Sequence, residues 1–233
     1  MTKPPSGRHL WIRQVAATLR YGHDSVLVCP ADQPERGWTG GELARRIGGA
    51  AALLDTAGCP RGTVVPALLT TRPESMALVV AGAATGRPLA PLSPRLTVAE
   101  LADCLADLES PVLLCEPESV DAGLALAERC QRKLIVVDDL PANDDVPALS
   151  AAGDAKAFVL HTSGTSGRPR RVDVRQDRLG ARAVVNSRLT RLSVDSVYSA
   201  SSPFHHVGGL GAFAVALATG AKIVTCPRFT VDA

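Results

Sequence analysis

Short apolar runs alternate with amphipathic segments along most of the chain. Runs such as Thr63–Leu69 and Pro111–Cys115 are continuously apolar, which is typical of strands buried on both faces of a parallel sheet. Between such runs, apolar residues recur at helical spacing, as at Leu43, Ile47 and Leu54. The alternation predicts an α/β fold in which parallel-rich sheets are flanked by helices.

Local signals mark where several of these elements begin. Thr39 with Glu42, and Thr97 with Glu100, have the spacing of a capping box, and Pro73 stands in the first turn of a predicted helix. Helices are predicted at about 9–20, 39–58, 71–84, 97–107, 119–130, 177–189 and 211–218. Strands are predicted at about 25–29, 63–69, 89–92, 111–115, 134–137, 157–162, 172–174, 197–201 and 222–226.

One segment, residues 141–154, is rich in Asp, Ala and Pro and shows no clear periodicity. Such composition is typical of a connection between domains. We therefore predict a first α/β subdomain over residues 1–140 and the start of a second one over residues 155–233.

Composition narrows the classes of function. The chain has 233 residues, of which 46% are hydrophobic, enough to bury a core in one or two domains. A formal charge of +2 and only 3% aromatic residues argue against nucleic acid as the main partner. No apolar stretch is long enough to predict a membrane span. The six cysteines form no C-x-x-C pair, and no secretory signal is visible, which predicts a cytoplasmic protein.

The most chemically specific run is Thr162-Ser163-Gly164-Thr165-Ser166-Gly167-Arg168-Pro169-Arg170-Arg171. Glycines and small hydroxylated residues let backbone N–H groups converge on the oxygens of a polyphosphate, and Arg170 or Arg171 could add a bidentate cation. The run is not a Walker A loop, because no Lys-Ser/Thr pair follows Gly167. The alternative reading is a flexible Gly/Ser linker with a basic edge.

A second run, Ser202–Leu210, places two histidines at a predicted strand-to-helix corner. Open α/β sheets usually hold ligands at such corners, and the pair Gly208–Gly209 allows close approach of backbone. The adjacent residues His205 and His206 therefore stand where a ligand site is expected, and His206 is the candidate site residue. The alternative is a histidine pair that serves only as a surface or hydrogen-bonded loop feature.

Together these runs resemble motifs of the adenylate-forming enzymes: the acyl-CoA synthetases, the adenylation domains of peptide synthetases and the luciferases. The first run resembles the family's TSG-[ST]-TG-x-PKG phosphate loop, with matches at Thr162, Ser163, Gly164, Thr165, Gly167 and Pro169. It departs at Arg170, which is Lys in the family, and at Arg171, which is Gly. The second run resembles P-x-F-H-x-x-G and places His206 at the family's His. About residues 8–229 can be laid on the family's N-terminal portion.

The resemblance implies an ATP-dependent carboxylic acid ligase that forms an acyl adenylate and then an acyl thioester. Its co-substrates would be ATP and CoA, with Mg²⁺ held mostly by residues outside this chain. Arg170 would stabilise the leaving pyrophosphate, and His206 would line the junction of acyl and phosphate sites. Arg171 would be strained if its position needs a positive φ. The remaining implied phosphate-binding residues are Thr162, Ser163, Gly164, Thr165, Ser166 and Gly167.

Several family motifs do not occur before Ala233, among them Y-G-x-T-E and T-G-D. We therefore expect an N-terminal portion of such a ligase. The alternative is a non-catalytic remnant or interaction module, inactive alone and able to associate with itself through an open sheet edge. The partner is expected to be a small-molecule carboxylic acid, with fatty, aromatic and amino acids all open. Transfer to a carrier protein also stays open as an alternative to CoA.

Overall fold

The computed structural model describes residues 10–162 and 169–226, and within these ranges it confirms the predicted α/β fold. The helices are α1 (Trp11–Tyr21), α2 (Gly40–Thr56), α3 (Pro73–Thr85), α4 (Val98–Leu105), α5 (Val120–Cys130), α6 (Gln176–Thr190) and α7 (Val207–Thr219). The strands are β1 (Val26–Pro30), β2 (Trp38–Thr39), β3 (Val65–Leu68), β4 (Leu89–Leu92), β5 (Val112–Cys115), β6 (Lys133–Val136), β7 (Lys156–Thr162), β8 (Arg170–Arg175), β9 (Val197–Ala200) and β10 (Lys222–Thr225).

The larger sheet has six strands in the order β6-β5-β3-β4-β7-β8. Its first five strands are parallel, and β8 is antiparallel to β7. Strands β3, β4 and β5 are buried along their whole length, which explains why their sequences are continuously apolar instead of alternating. Because the five parallel strands run in the same direction, their carboxyl ends lie along one edge of this sheet.

The smaller sheet has four strands in the order β2-β1-β10-β9. Strand β10 is parallel to both β1 and β9, whereas β2 is antiparallel to β1. Strand β2 was not predicted from the sequence, because two residues are too few to show a periodic pattern.

Strand pairing crosses the predicted connection at 141–154. Strand β7, which follows this segment, pairs with β4 in the larger sheet, and β10 pairs with β1 in the smaller sheet. Each sheet therefore takes strands from both predicted subdomains. The subdomains at 1–140 and 155–233 therefore stay a prediction, and each would contribute strands to both sheets.

A single large apolar core joins the two sheets. It draws side chains from α1, α2, α3 and α7 and from strands of both sheets, including Trp11, Phe158 and Ile223. A second core, between α4, α5 and the opposite face of the larger sheet, includes Leu101, Leu113 and Leu126. The larger sheet is thus covered by helices on both faces, as a parallel sheet requires.

Both predicted capping boxes are present. At the start of α2, the Glu42 backbone N–H donates to Thr39 Oγ1 at 3.2 Å, and the Thr39 N–H donates to Glu42 Oε2 at 2.8 Å. The same two bonds link Thr97 and Glu100 at the start of α4.

We expect Thr39→Ala to lower the free energy of unfolding by about 1 kcal/mol, because a backbone donor in the first turn of α2 loses its acceptor. Urea denaturation measures the change. Thr39→Ser is the matched control, since it keeps the hydroxyl and should keep most of the stability. Equal stability of all three proteins would show that this cap contributes nothing.

Candidate functional site

The candidate site lies where the carboxyl edges of the two sheets meet. Thr71, just after β3, donates from Oγ1 to the Ser202 carbonyl oxygen, just after β9, at 3.2 Å. Arg95, in the loop after β4, is near enough for its positive charge to act on His205. Loops that follow β3, β4 and β9 therefore converge. This is the edge at which open α/β sheets usually hold ligands.

The predicted phosphate loop is flanked by a paired β7–β8 hairpin. Thr162 lies opposite Arg170 in the register, and its hydroxyl lies 3.4 Å from the Arg170 carbonyl oxygen as a long hydrogen bond. The structure thus brings two of the predicted phosphate-site residues together at the ends of neighbouring strands. Five of the predicted phosphate-binding residues lie outside the described residues: Ser163, Gly164, Thr165, Ser166 and Gly167.

Arg170 and Arg171 differ in what their side chains contact. Arg171 Nε donates to Asp173 Oδ1 at 2.7 Å, and Nη1 donates to the Asp107 carbonyl oxygen at 3.2 Å. Arg170 is exposed, and no ion pair of its guanidinium occurs among residues 10–162 and 169–226. Of the two cations that the sequence left open, Arg170 is the one whose charge no described residue neutralises.

The condition under which Arg171 would be strained, a positive φ, is not met. Arg171 lies within β8, where it pairs with His161 of β7. Among the non-glycine residues that the structure describes, only Gln131 and Arg191 have positive φ. An extended strand accepts any side chain at this position, so replacing the family's Gly with Arg carries no backbone cost here.

His206 is positioned by a loop that folds back on α7. It occupies the N-cap of that helix, and its carbonyl oxygen accepts from the N–H groups of Gly209 at 3.1 Å and Leu210 at 3.0 Å. Its own N–H donates to the Pro203 carbonyl oxygen at 3.1 Å. Phe204 anchors the loop, because its buried ring stacks on Phe213 with centroids 5.2 Å apart. The His206 side chain itself is exposed.

His205 is the more buried member of the pair. Its ring centroid lies 4.2 Å from that of His206, and its Nδ1 is buried without a hydrogen-bond partner among the described residues. Burial, the neighbouring His206 and the charge of Arg95 lower the pKa of His205 from 6.5 to about 4. The unfolded chain gains this proton near pH 6.5, but the folded chain gains it only near 4, so His205 destabilises the fold as pH falls between these values.

Two site residues, Thr71 and Arg95, were not predicted from the sequence. Both directly follow predicted strands, at about 63–69 and 89–92, and therefore stand at strand carboxyl ends. A position at the carboxyl end of a predicted strand was the signal by which the sequence could have identified them. Which strand ends meet, however, depends on how the two sheets pack together.

A polar cleft of about 810 Å³ opens near the carboxyl ends of β1 and β10, beside the loops after β3, β5 and β6. None of the predicted site residues that the structure describes lines this cleft. Its charged lining residues are the acids Asp32, Glu35, Glu42, Glu74, Glu118, Asp138 and Asp139 and the bases Arg36, Arg46 and Arg72. Among the described lining residues carboxylates outnumber guanidinium groups, so the charge of this cleft disfavours a polyphosphate.

Among the described residues, no group of three or more His, Cys, Asp and Glu side chains is arranged to hold a metal ion. Within the same residues, none of the helices combines the length and apolar character needed to cross a membrane.

Comparison with known proteins identifies the family. A model of the AMP-binding enzyme family matches residues 15–233, so the chain belongs to this family. It is 31% identical over 215 residues to an indoleacetate–CoA ligase of Aromatoleum aromaticum, covering 86% of this chain and 42% of the relative. It is 30% identical over 170 residues to a feruloyl-CoA synthase of Amycolatopsis, covering 73% and 35%.

Solved structures show the same fold. The inhibitor-bound N-terminal domain of FACL13 from Mycobacterium tuberculosis superposes with a TM-score of 0.85 at 21% identity, covering 95% of this chain and 58% of that one. The chain spans less than half the length of the two ligases above. The resemblance seen in the sequence motifs is thus confirmed at the level of family and fold.

Proposed function

We propose that this chain is part of an ATP-dependent carboxylic acid ligase. It would supply the loop that binds the phosphates of ATP and the residue His206. The ligase forms an acyl adenylate and then an acyl thioester, with CoA as the acceptor. The observation that carries the proposal is the exposed Arg170, which lacks an ion pair among the described residues and lies opposite Thr162 at the end of β7.

In the proposed first step, a carboxylate oxygen of the acid attacks the α-phosphorus of ATP, and the bond to pyrophosphate breaks. Magnesium bound with ATP would supply charge neutralisation at the phosphates. Negative charge grows on the departing pyrophosphate, and Arg170 stabilises it by a bidentate, charge-assisted contact. Its planar guanidinium demands a different phosphate geometry from that of the family's Lys. In the second step, a thiol sulfur attacks the acyl carbonyl and AMP leaves.

His206 would stand between the acyl group and the phosphates. Its place at the N-cap of α7 brings the exposed imidazole close to a helix N-terminus, where positive potential favours an anion. The neighbouring His205 is neutral at pH 7 because its pKa is held near 4. A carboxylate approaching this corner would therefore meet one exposed and one half-buried imidazole.

The acid is proposed to be aromatic. By their names, one of the two relatives above is a ligase for indoleacetate and the other is a synthase for feruloyl-CoA. Aromatic acids are therefore the first class to test, with fatty and amino acids as the comparison. A cytoplasmic location belongs to the same proposal and rests on the sequence alone.

We expect His206→Ala to slow acyl-adenylate formation by roughly tenfold to a hundredfold or to change the preference among acids, because the mutation removes a polar group at the reacting junction. Mass spectrometry of the acyl adenylate, in the protein that carries this chain, measures both effects for indoleacetate, ferulate, a fatty acid and an amino acid. Val207→Ala is the matched control, since Val207 is the next exposed side chain.

Two outcomes would contradict these assignments. If His206→Ala changed only thermal stability, His206 would be a structural residue. If the unmodified protein formed no adenylate with any acid, the result would favour the non-catalytic alternative.

A further inference from the structure

We propose that Thr71 is a positioning residue for the site, which fixes the Ser202–His206 loop and is itself held in place by Glu116. The inference rests on the role proposed for His206. Thr71 belongs to the larger sheet's edge and the loop belongs to the smaller sheet's edge, so this contact determines how the two halves of the site face each other.

Thr71 is only 2% exposed, and its hydroxyl donates to the Ser202 carbonyl oxygen at 3.2 Å. Ser202 is four residues before His206 along the chain. The loop between them is short and turns tightly, since the His206 N–H reaches back to the Pro203 carbonyl. A bond that fixes Ser202 therefore limits where the His206 ring can lie.

Glu116, at the end of β5, fixes the backbone next to Thr71. It is 1% exposed, and its Oε2 accepts from the Thr70 N–H at 2.8 Å and from Thr70 Oγ1 at 2.6 Å. Its Oε1 accepts from Ser75 Oγ in the first turn of α3. The residues on both sides of Thr71 are thus tied to one buried carboxylate.

A buried carboxylate is costly unless hydrogen bonds satisfy it, and here burial raises the pKa of Glu116 above its usual value despite those bonds. Apolar residues could fill the same space at lower cost. What an apolar residue could not do is orient the donors of Thr70 and Ser75, and with them the direction of Thr71.

The opposite side of the loop rests on α7. A Cβ atom at Gly209 would lie 2.1 Å from the Pro203 carbonyl oxygen and 2.5 Å from that of Ser202, so helix and loop backbones are in close contact. The loop is consequently held between α7 and Thr71. Loss of the Thr71 hydroxyl removes the hydrogen bond that ties the Ser202 end of the loop to the larger sheet.

The test compares Thr71→Val, which removes the hydroxyl but keeps the shape, with Thr71→Ser, which keeps the hydroxyl. The readout is the titration of the His205 ring protons by NMR in the 233-residue chain. Within the part of the chain that the structure describes, the charged or titratable groups that act on His205 are His206 and Arg95. The expected midpoint is about 4 in the unmodified chain and in Thr71→Ser. In Thr71→Val it should rise by about one pH unit or more, because the displaced loop admits water to His205.

A purely structural role for Thr71 would lower the thermal midpoint of unfolding and leave the His205 titration unchanged, and that result would overturn the proposal. Thr71→Ala, which cannot overpack, serves as the second variant if Thr71→Val does not fold, with the same expected shift and the same contradicting result. Glu116→Gln should move the His205 midpoint in the same direction as Thr71→Val.

The readout does not depend on ligase activity. A shifted His205 titration in Thr71→Val, together with no adenylate formed by the unmodified protein, would support the positioning role and reject the proposed function. If the unmodified protein formed an adenylate and the His205 titration did not shift in Thr71→Val, the results would support the proposed function and reject the positioning role.

Discussion

Gly209→Ala is expected to lower the free energy of unfolding by about 1–3 kcal/mol and to displace the loop that carries His206. The new Cβ would lie 2.1 Å from the Pro203 carbonyl oxygen and 2.5 Å from the Ser202 carbonyl oxygen. Both are backbone atoms, which cannot rotate away as the end of a flexible side chain can. Either the first turn of α7 or the Ser202–Pro203 backbone must therefore shift.

Gly208→Ala is the matched control for this prediction. It lies in the same first turn of α7, but a Cβ there would meet nothing within 4 Å. Since alanine is favoured over glycine in a helix by up to about 1 kcal/mol, Gly208→Ala should be neutral or stabilising. Urea denaturation measures both stabilities, and the NMR signals of His205 and His206 report the loop. Equal behaviour of the two variants would show that the helix and loop are not in close contact.

Arg170→Ala is expected to weaken ATP binding by about 2–3 kcal/mol, or roughly 30- to 150-fold in the dissociation constant. Among residues 10–162 and 169–226, no acidic side chain forms an ion pair with Arg170, so its loss leaves no uncompensated charge behind. The effect should therefore appear in phosphate binding and not in folding. Isothermal titration calorimetry with ATP and with pyrophosphate measures it on the 233-residue chain.

Two control variants separate the effect of the positive charge at position 170 from the effect of removing any arginine from β8. Arg170→Lys restores the ammonium that the family motif has at this position and should retain most of the affinity. Arg175→Ala removes another arginine from β8, one whose guanidinium already binds Asp177 at 2.7 Å, and should leave ATP affinity unchanged. If Arg170→Ala bound both ATP and pyrophosphate as tightly as the unmodified chain, the role given to Arg170 would be wrong.

Much of the fold could be predicted because its signals are local. The capping boxes at Thr39 and Thr97, the helix that begins at Pro73 and the continuously apolar β3 and β5 all depend on residues within a few positions of each other. The motifs at 162–171 and 202–210 are equally local, and their residue types and spacing are enough to indicate the family.

The rest depends on contacts between distant residues. Strand β7 pairs with β4 although the 141–154 segment lies between them in the sequence. This pairing depends on how the sheet assembles, and no short sequence pattern indicates it. The bond from Thr71 to Ser202 joins residues 131 positions apart. The contact of Arg171 with Asp107, which is one part of its difference from Arg170, likewise joins residues 64 positions apart.

Acid-dependent exchange of pyrophosphate into ATP tests the central claim most directly, because it requires reversible formation of an acyl adenylate. It should be measured in the protein that carries this chain, with Mg²⁺ and with aromatic, fatty and amino acids supplied one at a time. The account predicts exchange with at least one carboxylic acid, strongest among the aromatic acids, and a large loss in Arg170→Ala. A folded protein that shows no exchange with any acid would contradict it.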